Sequence, residues 1–305
     1  MPHRFSISCH GVFKTYGQHL AVKDLSLQVK TGECFALLGP NGAGKTTTCE
    51  LLEGIQNPNR GEILILNKSF TKDSLLIRQE IGIQLQDSRL YGKYTVEETL
   101  SLFASFYKKS LPISTVLSWL DLESKKNSRL DTLSSGLRQR VYLGIAIIHQ
   151  PKLIFLDEPT TGLDPVSRLC VWRLLERLKQ EGVSIFLTTH HLEEAEHLAD
   201  RIGILKSGEL IAHGSPRELI DKYYPGERLQ FSASSELLSD LKKDCPWFQN
   251  LKHMESNIYE LSSESSGPYL IDLSQRAQRI GVPLAFLQVR PYSLEDVYIR
   301  LTQSI

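Results

Sequence analysis

The sequence predicts an α/β protein whose larger part carries a phosphate-binding loop on a mostly parallel sheet, followed by a smaller α+β domain. Three observations predict it. Gly39-Pro40-Asn41-Gly42-Ala43-Gly44-Lys45-Thr46 satisfies G-x-x-x-x-G-K-[ST] at every specified position. Apolar strand-like runs and helical stretches then alternate as far as His190, the pattern of a parallel core. After Tyr223-Tyr224-Pro225-Gly226 the order of elements changes.

Phe5 to Val12 and Leu20 to Val29 hold β-rich, partly alternating segments, which read as a strand pair. Between them lies Lys14-Thr15-Tyr16-Gly17, where Tyr16 either covers core with its ring or stacks on an adenine face. Cys34 to Leu38 is a buried strand and Thr46 to Gly54 a helix, so strand, loop and helix arrive in the order a phosphate cradle requires. Gly39, Gly42 and Gly44 let the backbone turn its N–H groups inward, and the helix N-terminus attracts an anion. Lys45 reaches the β/γ-phosphates, the Thr46 hydroxyl is a Mg²⁺ ligand, and Thr47 is a weaker member of the set.

Gly61 to Leu66 and Ile81 to Leu85 read as strands, with Gln86 opening the polar loop that follows. Thr95 to Lys108 has helical apolar spacing behind a Thr95/Glu98 capping box, and Ile113 to Leu120 continues the helical section. Leu133 to Arg140 leads into a long helix ending near His149, where a serine-rich start is first of all an N-cap. Leu153 to Leu156 is an apolar strand ending in Asp157 and Glu158, placed to hold Mg²⁺ through water and to polarise an attacking water respectively. A helix from Val166 to Gln180 and a strand from Val183 to Leu187 follow, the strand running into Thr188-Thr189-His190-His191. A histidine at that position can donate to a γ-phosphate. The remainder reads strand (Arg228 to Ser232), helix (Glu236 to Lys243), weak strand near Phe248, strand (Asn257 to Leu261), helix (Pro268 to Ile280), strand (Leu284 to Val289) and a helix from Leu294, the ferredoxin-like order.

With 35 basic and 35 acidic side chains in 305 residues there is no global field to attract nucleic acid, and no nucleic-acid partner is expected. Five widely spaced cysteines with no C-x-x-C pair suggest neither a zinc site nor a disulfide framework, and fit a reducing cytosol. No apolar leader and no run long enough to span a bilayer is seen, so the chain is expected to be soluble by itself.

Taken in order, these residues resemble the ATP-binding subunits of ABC transporters over about the first 220 positions. The resemblance implies an α/β P-loop NTPase ABC ATPase core (1–224) with an antiparallel β subdomain and a helical subdomain at about 87–150, plus a small α+β C-terminal domain (225–305). It makes Tyr16 the adenine-stacking aromatic, Gly39 to Thr46 the Walker A loop, Gln86 the Q-loop glutamine with catalytic and metal-binding roles, and Asp157 with Glu158 the Walker B pair. Asp164 becomes the D-loop aspartate and His190 the switch histidine, and Ser134, Ser135 and Gly136 occupy the signature loop that reaches the nucleotide of a partner subunit. That loop departs from LSGGQ, reading Leu133-Ser134-Ser135-Gly136-Leu137; if position 135 needs a positive φ, its serine adds strain and slows turnover.

The implied function is ATP hydrolysis with Mg²⁺ in a head-to-tail dimer, with a second copy or a related ATPase subunit, driving a separate integral-membrane permease. Pro291 to Tyr298 is similar to the ending of ATPase subunits that serve type-2 exporters of drugs, ions or polysaccharides, which points to export. The segment after Gln86, with Leu90 and Tyr91, is expected to face the permease. The rival is a non-transport ABC ATPase acting on ribosomes or DNA; the tandem cores or long coiled coil of those classes are not seen.

Overall fold

The computed structural model describes residues 4–84, 90, 92–254 and 256–303. Strands β1 (Phe5–Tyr16), β2 (His19–Lys30) and β3 (Cys34–Leu38) precede helix α1 (Lys45–Leu52), β4 (Arg60–Ile65), α2 (Phe70–Arg78) and β5 (Ile81–Gln84). Helices α3 (Val96–Ala104), α4 (Ile113–Trp119) and α5 (Ser135–Ile147) follow. Next come β6 (Leu153–Asp157), α6 (Pro165–Gln180), β7 (Ser184–Thr189), α7 (Leu192–Leu198), β8 (Arg201–Lys206) and β9 (Glu209–Gly214). The chain divides into two compact units, Met1–Pro216 and Arg217–Ile305, a boundary eight residues before the one read at Tyr224.

The first unit holds a six-stranded sheet in the order β5-β6-β7-β3-β8-β9, parallel except for the last pair, and a separate antiparallel sheet β2-β1-β4. Its central strands read as unbroken apolar runs because both faces are covered, and every residue of β3, β6 and β7 is buried. Register brings Phe35, Phe186 and Phe155 side by side on one face, with adjacent ring centroids 5.8 and 5.9 Å apart. This rigid floor aims the C-terminal ends of β3, β6 and β7 at one place, the usual ligand edge of such a sheet.

The helical section is α3 to α5. Its entry follows the expected capping box, with Glu98 N–H donating to Thr95 Oγ1 and Thr95 N–H to Glu98 Oε2. α3 stops at Ala104 rather than Lys108, because Ser105 Oγ donates to Leu102 O at 2.6 Å and Tyr107 leaves the helix to stack on His149 with centroids 3.9 Å apart.

The second unit contains α8 (Pro216–Tyr223), apart from its first residue, then β10 (Glu227–Ser232), α9 (Ser235–Asp244), β11 (Lys252–His253), β12 (Ile258–Ser263), α10 (Gly267–Ile280), β13 (Leu287–Pro291) and α11 (Leu294–Gln303). Its antiparallel sheet runs β11-β12-β10-β13, the ferredoxin-like order. The strand expected near Phe248 is instead a 3₁₀ turn, Pro246–Asn250, with a two-residue strand after it. Trp247 and Phe248 are apolar because they pack on Phe231 and its neighbours, not because they pair. Among the described residues, no helix is long and apolar enough to cross a membrane.

One buried carboxylate has a measurable consequence. Glu53, at the end of α1, is 1% exposed, and burial pushes its pKa up from 4.5 to about 7, against the opposing hydrogen bond from Cys49 Sγ at 3.2 Å. The folded state therefore holds this proton more tightly than the unfolded chain, and stability falls as pH rises through the window from about 4.5 to about 7. Glu53→Gln is expected to flatten that slope and to stabilise the protein at pH 8 by up to about 3 kcal/mol. Urea melts of both proteins at pH 5 and pH 8 test this; equal pH slopes contradict it.

Candidate nucleotide site

The loop from Gly39 to Gly44 leaves the buried end of β3 and turns directly into α1. Its glycines serve different purposes. A Cβ on Gly39 would lie 2.5 Å from Leu205 O, and one on Gly44 2.5 Å from Ala21 O, so neighbouring backbone leaves no room. Gly42 has open space but a φ of +78°, and Gly44 combines its close contact with a φ of +100°. Ala43 is tied in by its N–H to Pro40 O (3.1 Å) and its carbonyl from Gly208 N–H (2.9 Å). No side chain caps α1 and no acidic residue enters its first turn, so its N-terminal amides face an anion-compatible field.

Lys45 is buried and donates to Gly39 O (2.8 Å) and Pro40 O (3.3 Å), which bends the ammonium over the loop. Burial lowers its pKa, opposed by the Glu158 and Asp157 carboxylates. Pro40, Asn41 and Thr46 are exposed and Thr47 half-buried. Tyr16 pairs with His19 at the end of the β1–β2 hairpin, two residues after Lys14, whose ammonium lies 5.2 Å from the ring centroid. The ring is 43% exposed, and the same hairpin supplies the Ala21 carbonyl against Gly44.

The end of β6 brings in the acidic pair. Thr46 Oγ1 donates to Asp157 Oδ2 at 3.4 Å, and Thr188 Oγ1 donates to Asp157 Oδ1. Burial raises the Asp157 pKa, with the Thr188 hydrogen bond working against it. Glu158 turns left-handed at φ +50°, a non-glycine outlier costing about 1–3 kcal/mol and held by its N–H to Thr188 O at 3.0 Å. That turn points its carboxylate at His190, with Nδ1 to Oε1 at 3.2 Å, and Thr161 Oγ1 donates to the other oxygen at 3.0 Å. Thr46, Asp157, Glu158 and His190 are thus one connected cluster beside Lys45. The His191 ring lies tilted against that of His190 with centroids 4.1 Å apart, and its pKa is lowered by burial first and by His190 second.

Thr188 is the member that sequence reasoning missed. It touches both carboxylate residues because β6 and β7 pair with Asp157 opposite Thr188. The only prior signal is its place two residues before His190.

The remaining candidates lie in two turns. Ser134 caps α5, accepting from Leu137 N–H at 3.3 Å. Asp164 caps α6, accepting from Ser167 N–H at 3.0 Å and Ser167 Oγ at 2.7 Å, and these bonds hold its carboxyl below the usual range. Gln139 Nε2 donates to Pro159 O at 3.2 Å, linking α5 to the loop after Glu158. Gln86 and Tyr91 lie outside the described residues; Leu90 is half-buried.

The expected strain at Ser135 is not there. Ser135 is the first residue of α5, its φ is not positive, and its side chain is exposed. Ser135→Gly is therefore expected to keep turnover at saturating ATP within about twofold of the native protein. A rise of about fivefold or more contradicts this.

Residues 22–161 match the family model described as ABC transporter. The chain is 38% identical to Nod factor export ATP-binding protein I of Rhizobium sp. (strain N33), over 98% of this chain and 97% of that protein. It is 39% identical to the protein of the same name in Mesorhizobium japonicum, over 96% of this chain and 85% of that one. Among solved structures, an ATP binding subunit of an ABC transporter matches with a TM-score of 0.66 at 30% identity, covering 71% of this chain and 92% of that one. A dimeric structure of a post-hydrolysis state of the ATP-binding cassette MJ0796, bound to ADP and Pi, matches with a TM-score of 0.63 at 28% identity, covering 68% of this chain and 98% of that one.

Proposed function

Because this chain belongs to the ABC transporter family of ATP-binding proteins, we propose that its loop, acidic pair and histidine hydrolyse ATP in a composite site completed by a second subunit. It is an ATPase, the ATP-binding subunit of an ABC transporter. The observation that carries the residue assignment is the connected cluster of Thr46, Asp157, Glu158 and His190 at the mouth of the Gly39–Gly44 loop.

The loop amides, the first turn of α1 and Lys45 bind the phosphates, and Tyr16 covers the adenine. Lys45 exchanges its bonds to Gly39 O and Pro40 O for phosphate oxygens, so its charge is desolvated before ATP arrives. Thr46 and Asp157 offer the hard oxygen donors that Mg²⁺ takes, with Gln86 completing the set; the ion would neutralise β/γ-phosphate charge. Glu158 takes a proton from the attacking water. Donation of the His190 ring N–H to the γ-phosphate in place of Glu158 Oε1 frees that oxygen for the water. Ser134, Ser135 and Gly136, with Asp164, reach the nucleotide bound by the partner subunit, either a second copy or a related chain. Closure on ATP and reopening after hydrolysis drive a separate membrane permease, which places this subunit on the cytoplasmic face of the membrane. The relatives' name supports export and favours transport over action on ribosomes or DNA.

A composite site makes activity depend on encounter. Specific ATPase activity is expected to rise with enzyme concentration below the dimerisation midpoint. Strict proportionality from a chain shown to be monomeric by sedimentation contradicts the composite site.

A further inference from the structure

We propose that Arg140 and Ser167 are positioning residues that lock the signature loop to the Asp164 turn, so that the two reach a partner subunit as one rigid piece. The proposal rests on the composite-site reading above. Arg140 projects from α5, is 8% exposed, and donates from Nη2 to Ser167 Oγ at 3.2 Å and from Nη1 to Leu120 O at 3.3 Å. Ser167, in the first turn of α6, donates its hydroxyl to Asp164 Oδ2 at 2.7 Å. A hydroxyl has one proton, and a guanidinium can only donate, so Arg140 obliges Ser167 to spend that proton on Asp164. The result is a directed chain from cation through hydroxyl to carboxylate, of the charge-assisted kind.

Packing seals the same junction. A Cβ on Gly136 would lie 2.9 Å from Ser167 Oγ and 3.7 Å from Asp164 Oδ2, so the signature turn rests directly on the Asp164 turn. This distinguishes the two signature positions. Position 135 faces outward and accepts serine, whereas position 136 must stay glycine for the two turns to meet. Arg140 is held by this junction more than by a surface ion pair, since its nearest carboxylate, Asp121, is 3.9 Å away and 63% exposed.

The test uses the Glu158→Gln protein with Mg·ATP, with dimerisation followed by sedimentation and binding of a fluorescent ADP followed on the monomer. Adding Ser167→Ala is expected to weaken dimerisation about tenfold or more, the scale of a lost charge-assisted hydrogen bond. ADP affinity should stay within about twofold, because the loop at Gly39–Gly44 is untouched. Adding Arg140→Lys should weaken dimerisation in the same sense, and combining it with Ser167→Ala should add little, because both cut one chain. Unchanged dimerisation overturns the proposal, and so does a parallel loss of ADP affinity, which a merely structural role would produce. If Glu158→Gln alone stays monomeric with Mg·ATP, the composite-site reading fails and takes this proposal with it.

Discussion

Glu158→Gln is expected to lower kcat by about a thousandfold, within the range a positioned general base supplies, while nucleotide affinity stays within about threefold. The geometry explains why the loss falls on chemistry. Glu158 sits in a left-handed turn fixed by its own N–H to Thr188 O, a bond that the substitution leaves in place. A glutamine carbonyl can still accept from Thr161 Oγ1 or face His190, so the loop keeps its shape. An amide cannot take a proton from water. Steady-state turnover at saturating ATP, with calorimetric ADP binding as control, decides it. Turnover within about tenfold of the native protein would reassign the base.

Gly44→Ala is expected to weaken ATP binding by about a hundredfold or more, because two separate obstacles coincide at that residue. The backbone is at φ +100°, beyond the left-handed region that alanine visits. The new methyl would lie 2.5 Å from the Ala21 carbonyl, which belongs to β2 and cannot yield as a side chain tip could. The loop must move, and its amides then miss the phosphates. Gly42→Ala is the internal comparison, with φ +78° and no atom within 4 Å of the added Cβ. It should cost about tenfold or less. Calorimetric ATP titrations of both variants test the pair, and equal losses would show that the contact with Ala21 does not matter.

Local spacing made most of the site readable. The phosphate loop, Asp157, Glu158 and His190 each sit at the end of a buried apolar run, and that position alone marks a sheet's ligand edge. Thr188 stayed invisible because its role depends on strand register, with Asp157 opposite it on the neighbouring strand. Arg140 and Ser167 stayed invisible because they meet only when α5 packs on α6, 27 residues apart in the chain. Helix α2 escaped for another reason. Leu75 and Leu76 are 82% and 58% exposed, Ile77 alone is buried, and the helix is interrupted at Asp73, so no amphipathic stripe exists to be read. At Ser135 the sequence suggested a strained glycine site, and only the helix boundary shows that residue to be an ordinary first-turn serine.

The signature loop of one subunit is expected to complete the phosphate site of another, and an intersubunit crosslink reads that arrangement. All five native cysteines are buried, so new exposed thiols will dominate labelling. Asn41→Cys in one tagged subunit and Ser135→Cys in a differently tagged subunit, both carrying Glu158→Gln, should be joined by a short bismaleimide when Mg·ATP is present. A mixed 41–135 product that depends on ATP is expected. Products joining 135 to 135, or no mixed product from a demonstrated dimer, would contradict it.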